Sequence, residues 1–205
     1  MDRLVTFGCS NTYGQGLEDC YWTNNRSAKN VKMSAPSKFA WPNLLAKKLG
    51  IECCNESVPG ASNKLIMHKV ISFPILPTDA VIVMWSYADR FAIIKNDPSK
   101  DFFYHKRIAP WDKDKSSKKY YKFIYNEYDH NIMTDHYINY VGLHLEKHNI
   151  TNIQTTCCYK TQHPLVLDIR HDELRQQYPK GLDGIHPGPE THKEIANRIY
   201  KRMTV

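Results

Sequence analysis

Apolar positions along this chain gather into short continuous runs, and the segments between the runs carry helical spacing. Leu4, Val5 and Phe7 form the first run and predict a short buried strand that breaks at Gly8. Residues 36–50 read as helical, with Phe39, Leu44, Leu45, Ala46 and Leu49 as an inner face. Gly50 stops this helix, and Pro42 marks where its regular part begins. Residues 51–55 predict a second strand and 61–73 a second helix, ended by Pro74 and Pro77. Residues 79–86 hold the plainest strand, a β-branched run (Val81, Ile82, Val83) of the kind expected in a parallel sheet covered on both faces. Residues 120–149 predict one or two helices with an apolar stripe of Phe123, Tyr137, Tyr140, Val141 and Leu145. Residues 151–159 predict a fourth strand and 165–169 a short fifth. A polar connection over 171–180 precedes a closing helix.

Strand and helix thus alternate from end to end. That order predicts an α/β fold: a flavodoxin-like, doubly wound parallel sheet in three α/β/α layers. A chain of 205 residues fits one domain, and residues 1–205 show no repeat, low-complexity tract or boundary. Two segments lack regular spacing. Residues 18–34 are polar and aromatic and read as a loop. Residues 92–119 read as a long aromatic-basic insertion, and a loop of that length in a compact domain is expected to face a substrate as a lid.

Composition narrows the classes. Hydrophobic residues make up 41% and charged residues 24%, ordinary values for a globular protein. No apolar run approaches the roughly 20 residues that span a bilayer, so no membrane partner is expected. Met1-Asp-Arg leads straight into the first strand without a secretory leader. The six cysteines include the pairs Cys53-Cys54 and Cys157-Cys158 and lack C-x-x-C spacing. A reduced, cytoplasmic protein is the expectation. The net charge is +7, but the basic residues are scattered. The densest group (Lys113, Lys115, Lys118, Lys119, Lys122) is interrupted by Asp114 and reads as a solvated loop, so nucleic acid is not the expected partner. His144 and His148 stand at i, i+4, but the Leu-Glu-Lys between them is not the zinc-peptidase order. A solvated helix face is expected there, with no metal and no cofactor.

The chemistry sits at the two ends. A strand that closes on a small-residue turn holding one hydroxyl is how α/β enzymes expose a nucleophile, and Ser10 occupies that place. Gly8-Cys9-Ser10-Asn11-Thr12-Tyr13-Gly14-Gln15-Gly16 resembles the first block of the SGNH (GDSL-type) hydrolases, G-D-S-x-T-x-G-x-G, with Cys9 for the aspartate. Asp183-Gly184-Ile185-His186-Pro187, followed by a helix, resembles that family's last block, D-x-x-H-P. The resemblance implies an SGNH-type fold with Ser10 as nucleophile, His186 as its base and Asp183 orienting the histidine. It implies further that the N–H groups of Ser10 and Gly60 hold the oxyanion. The family's third block, G-x-N-D, is replaced here by Met84-Trp85-Ser86-Tyr87-Ala88-Asp89-Arg90. Ser86 lies nearest the missing asparagine and becomes the expected third donor, with Asn63 as the fallback. The implied function is a serine esterase or deacylase acting on a small-molecule or glycan O-acyl ester, such as an acetylated sugar. The aromatic residues Tyr21, Trp22 and Trp111 would suit a carbohydrate and equally other ligands. A non-enzymatic binding or structural protein on the same fold is the alternative, given the altered third block.

Overall fold

In the computed structural model, residues 1–21, 35–95, 104–157 and 163–204 are described. The apolar runs form a parallel sheet: β1 (Arg3–Phe7), β2 (Glu52–Asn55), β3 (Asp79–Trp85), β6 (Thr151–Thr156) and β7 (Val166–Leu167), in spatial order β2-β1-β3-β6-β7. Leu4 pairs with Cys53 on one side and Ala80 on the other, so β1 is an interior strand. All seven residues of β3 are buried, which requires cover on both faces. Helices α2 (Trp41–Leu49) and α7 (Pro189–Met203) pack together as one layer. Helices α3 (Asn63–Ser72) and α5 (Glu127–Lys147) form the other. This is the predicted doubly wound α/β architecture. Its strand order reverses direction between β1 and β3, and the carboxyl ends of those two strands border the crevice where such folds hold ligands.

The opposite end of the sheet is fixed by charge. Arg3 Nε donates to Asp79 Oδ1 at 2.9 Å and Arg3 Nη2 to Oδ2 at 2.7 Å, joining the starts of β1 and β3. A planar fork on a carboxylate buried to 2% exposure is the geometry in which an ion pair contributes most.

Several elements differ from the sequence expectation. Among its described residues, the stretch from 92 to 119 is not without regular structure. It holds an antiparallel hairpin, β4 (Phe91–Lys95) with β5 (Tyr104–Ile108), and the start of α4 (Lys115–Phe123). The strands are short and half their residues are basic or exposed, so no period of two stood out. Tyr121 on α4 secures the hairpin base, donating to the carbonyls of Asp89 and Ile108. The connection over 171–180 contains α6 (His171–Gln177), which buries only His171 and Leu174 and therefore shows too thin an apolar stripe to read. Phe39 precedes α2 and is 44% exposed, while Trp41, Leu45 and Ala46 make the inner face. On α5 the buried positions are Thr134, Ile138, Val141, Gly142 and Leu145. Tyr140 faces solvent, and Phe123 at the end of α4 is 70% exposed. The expected loop over 18–34 is described only through Tyr21; Trp22 and Cys158 lie outside the described residues.

Two buried histidines couple this fold to pH. His192 on α7 is fully buried and its Nδ1 accepts the Trp41 N–H at 3.1 Å. Burial pushes both His171 and His192 down to about 3, with Arg175 and His192 adding to the effect on His171. In the unfolded chain these imidazoles titrate near the ordinary 6.5. Their contribution is therefore complete above that value and is lost as pH falls toward about 3. Each should steepen the acid loss of stability by about 1.4 kcal/mol per pH unit between roughly pH 6 and pH 4. Denaturant melts across that range should show the slope, and His171→Leu should remove about half of it; an unchanged slope would contradict the assignment.

Candidate active site

Ser10 opens α1 (Ser10–Tyr13), a single turn that begins just past the carboxyl end of β1. The turn is tight enough to exclude any side chain at position 8. A Cβ on Gly8 would lie 2.1 Å from Thr12 Oγ1 and 3.2 Å from the Met84 carbonyl. Cys9, where the resembled motif has aspartate, is fully buried with its sulfur 3.8 Å from Cys157 Sγ. A small thiol suits a place where an ionised carboxylate would be desolvated.

Asp183 and His186 arrive from the other end of the chain, on the turn before α7. Asp183 Oδ1 accepts the N–H groups of Ile185 (2.9 Å) and His186 (3.0 Å). Its Oδ2 accepts His186 Nδ1–H at 2.6 Å. Burial pushes the Asp183 carboxyl up, but the two backbone N–H groups and the imidazole outweigh it and hold the group below its ordinary value. The carboxylate therefore stays ionised and fixes the proton on Nδ1. This leaves Nε2 as an acceptor for Ser10 Oγ–H, at 3.0 Å. The structure thus brings together Ser10, His186 and Asp183 in one hydrogen-bonded line.

Gly60 reaches the same crevice because the chain leaving β2 runs along the serine turn. Val58 N–H donates to the Gly8 carbonyl at 3.0 Å, and Asn55 Nδ2 to the Thr12 carbonyl at 3.0 Å. Among the described residues neither the Ser10 nor the Gly60 N–H has an acceptor.

Ser86 follows directly on β3, at its carboxyl end, as the sequence placed it. It is fully buried. Its N–H donates to Asn63 Oδ1 at 2.7 Å, and its carbonyl accepts Asn63 Nδ2 at 3.1 Å. The Ser86 hydroxyl accepts Arg90 Nη1 at 2.9 Å and lies against the Cys9 thiol. Asn63, the fallback donor, gives its second amide proton to Thr134 Oγ1 at 3.1 Å, so both of its donors are committed. Asn63 is a clamp on the end of β3.

Three neighbours of the site carried no motif. Arg90 lies over the ring of Tyr87 at 4.6 Å and of Trp111 at 5.1 Å. Arg107 of β5 stands against Gly60, with Nη1 2.8 Å from where a Cβ would project. Arg175 of α6 donates to the Tyr87 hydroxyl at 2.9 Å and to the Ile185 carbonyl, beside His186, at 3.0 Å. In the sequence these are scattered basic residues, and only the fold brings them beside Ser86, Gly60 and the carbonyl preceding His186. Among the described residues no group of three or more His, Cys, Asp or Glu side chains could hold a metal ion, and no helix is long and apolar enough to cross a membrane.

The sheet order β2-β1-β3-β6-β7 with helices on both faces is the three-layer α/β fold of SGNH-type structures, and solved structures share it. A Desulfitobacterium hafniense protein placed in the G-D-S-L lipolytic family is 12% identical, with a TM-score of 0.52 over 98% of this chain and 99% of that one. A catalytic mutant of an acetylxylan esterase from Geobacillus stearothermophilus is 15% identical, with a TM-score of 0.54 over 100% and 94%. An acetyl xylan esterase from Butyrivibrio proteoclasticus is 14% identical, with a TM-score of 0.54 over 98% of this chain and 63% of that one. At these identities the likeness is one of fold. No protein-family model matches the sequence, and no curated protein does.

The Asn63 clamp can be tested directly. Asn63→Ala would leave the Ser86 N–H and carbonyl without their partner in a buried place, at a cost of about 2–4 kcal/mol. Urea melts measure this, and a loss under about 1 kcal/mol would show that the clamp contributes little.

Proposed function

We propose that this chain is an SGNH-type serine esterase that removes an acyl group from an oxygen ester, with an acetylated carbohydrate as the substrate class. The observation that carries this reading is the uninterrupted line from Ser10 Oγ through His186 (3.0 Å) to Asp183 (2.6 Å). Such a line lets a neutral imidazole take the serine proton as Oγ attacks the ester carbonyl. The tetrahedral oxyanion would be held by the Ser10 and Gly60 N–H groups. Ser86 is the weaker third donor: Arg90 donates to its oxygen, and its hydroxyl lies beside the Cys9 sulfur, a poor acceptor that an oxyanion can outcompete. Collapse expels the alcohol, which takes the proton from His186, and leaves the acyl group on Ser10. A water then attacks, again giving its proton to His186, and the acid departs. Nothing in this sequence of steps calls for a metal or cofactor. The acetylxylan esterases that share the fold favour a sugar acetate as substrate.

A binding protein without turnover is the competing reading, and the missing third-block asparagine is what favours it. The aligned proton path and the two uncommitted N–H groups favour catalysis, because a binding module has no use for either.

Purified protein should hydrolyse p-nitrophenyl acetate, and Ser10→Ala should lower kcat by about 10⁴-fold or more with an unchanged melting temperature. His186→Ala should be comparably damaging, because the members of a triad act as a unit. Full turnover in Ser10→Ala would remove the nucleophile assignment.

Ser86→Ala should lower kcat about tenfold with little change in KM, since the bond it offers strengthens only in the transition state. A change confined to KM would take Ser86 out of the oxyanion hole.

A further inference from the structure

Positive charge converges on the mouth of this site in a way that ester hydrolysis alone does not require. Ser86, at the carboxyl end of β3, and Gly60, after β2, each have an arginine beside them. Arg90 is held by the Ser86 hydroxyl and lies over Tyr87 and Trp111. Arg107 Nη1 lies 2.8 Å from where a Cβ on Gly60 would project, while its Nη2 donates to Asp112 Oδ1 at 2.9 Å. Trp111 and Asp112 are consecutive, so one short turn orients both guanidiniums. At the far side of Tyr87, Arg175 bonds the ring hydroxyl.

The acids nearby do not balance these charges. Asp112 faces Arg107 and is partly consumed by the Ala109 N–H at 2.9 Å. Arg90 has no carboxylate within 4.0 Å among the described residues, and its buried Nε has no acceptor. Burial pushes its sequence neighbour Asp89 up, and the Arg90 charge acts against that shift from beyond ion-pair distance. Guanidiniums facing one crevice repel each other unless an anion joins them. Their planar forks suit a carboxylate or phosphate held through two parallel bonds. Trp111, 52% exposed beside them, offers a flat apolar face to a sugar ring.

We propose that the alcohol portion of the substrate is anionic, bearing a carboxylate or phosphate that seats between Arg90 and Arg107 next to the ester. The inference rests on the esterase reading and names its substrate class: the ester of an acidic sugar, not of a neutral one. The two arginines are specificity residues, and the triad acts on the acyl group beside them.

Acetate esters of three sugars that differ only at carbon 6 provide the test: methyl galactoside, methyl galacturonide and methyl galactoside 6-phosphate. One of the two acidic esters should exceed the neutral one in kcat/KM by about tenfold or more, and which one wins separates carboxylate from phosphate. Salt should raise KM for the acidic ester and leave the neutral one alone. Arg107→Gln should lower the acidic-to-neutral ratio about tenfold, and Arg107→Lys should retain part of it. A neutral ester turned over as well as both acidic ones would overturn the proposal, as would an unchanged ratio in both Arg107→Gln and Arg90→Gln. Calorimetry with galacturonate and galactose 6-phosphate on the unmodified protein keeps the two readings apart. Salt-sensitive binding of either sugar that Arg107→Gln weakens supports the anion site even if no ester, p-nitrophenyl acetate included, is hydrolysed. Absence of such binding in a protein that hydrolyses p-nitrophenyl acetate rejects the anion site and leaves the esterase reading standing.

Discussion

The candidate site depends on a backbone contact between the two ends of the chain. The Gly16 carbonyl accepts the Leu182 N–H at 2.7 Å, and a Cβ on Gly181 would lie 2.5 Å from that same oxygen. At φ +97 Gly16 occupies a conformation that side chains disfavour, and a Cβ there would press on Asp183 Oδ1 at 3.0 Å. Only glycine on both sides lets the serine turn and the histidine turn touch main chain to main chain. That contact sets the 3.0 Å between Ser10 Oγ and His186 Nε2 across 176 residues of sequence. An entropy cost of closing so long a loop is met by the sheet and by α7 packing on α2, not by the site itself.

Around this contact the crevice is built from polar groups that satisfy each other. Asn63 holds both backbone groups of Ser86, and Thr134 on α5 accepts the remaining amide proton while donating to the His130 carbonyl at 2.9 Å. The end of β3, α3 and α5 are thereby tied at one point directly beneath the site. The two departures from the resembled motif share this place. Cys9 and Ser86 lie against each other, and Arg90 reaches Ser86 from above. A carboxylate at position 9 would sit fully buried, whereas a thiol there adds to the core beside Cys157.

The hairpin of β4 and β5 gives the crevice its wall and its charge. It stands on α4 through Tyr121 and against α3 through Phe91, whose ring stacks on Tyr120 at 5.0 Å and lies under Lys64 at 5.3 Å. From that footing it presents Arg107 to Gly60 and, through the next turn, Trp111 to Arg90. Steering of an anion into such a cleft would act on association as well as on specificity.

The parallel α/β sheet was legible in the sequence, and so were Ser10, Asp183 and His186, the three side chains that the structure brings into one hydrogen-bonded line. These are local signals: continuous β-branched runs, Gly50 at a helix end, a serine after a strand, and an aspartate three residues before a histidine. Each needs only its neighbours in the chain to be read. The hairpin, α6 and the exposure of Phe39, Phe123 and Tyr140 were decided by tertiary packing. Their patterns are short or mixed, and burial depends on which face another element happens to cover. The same holds for the donors beyond the motif. That Asn63 is spent on Ser86, that Arg90 and Arg175 both reach Tyr87, and that Arg107 stands beside Gly60 follows from contacts between different segments of the chain. No spacing encodes them, because a side chain's free hydrogen bonds are known only once every partner is in place.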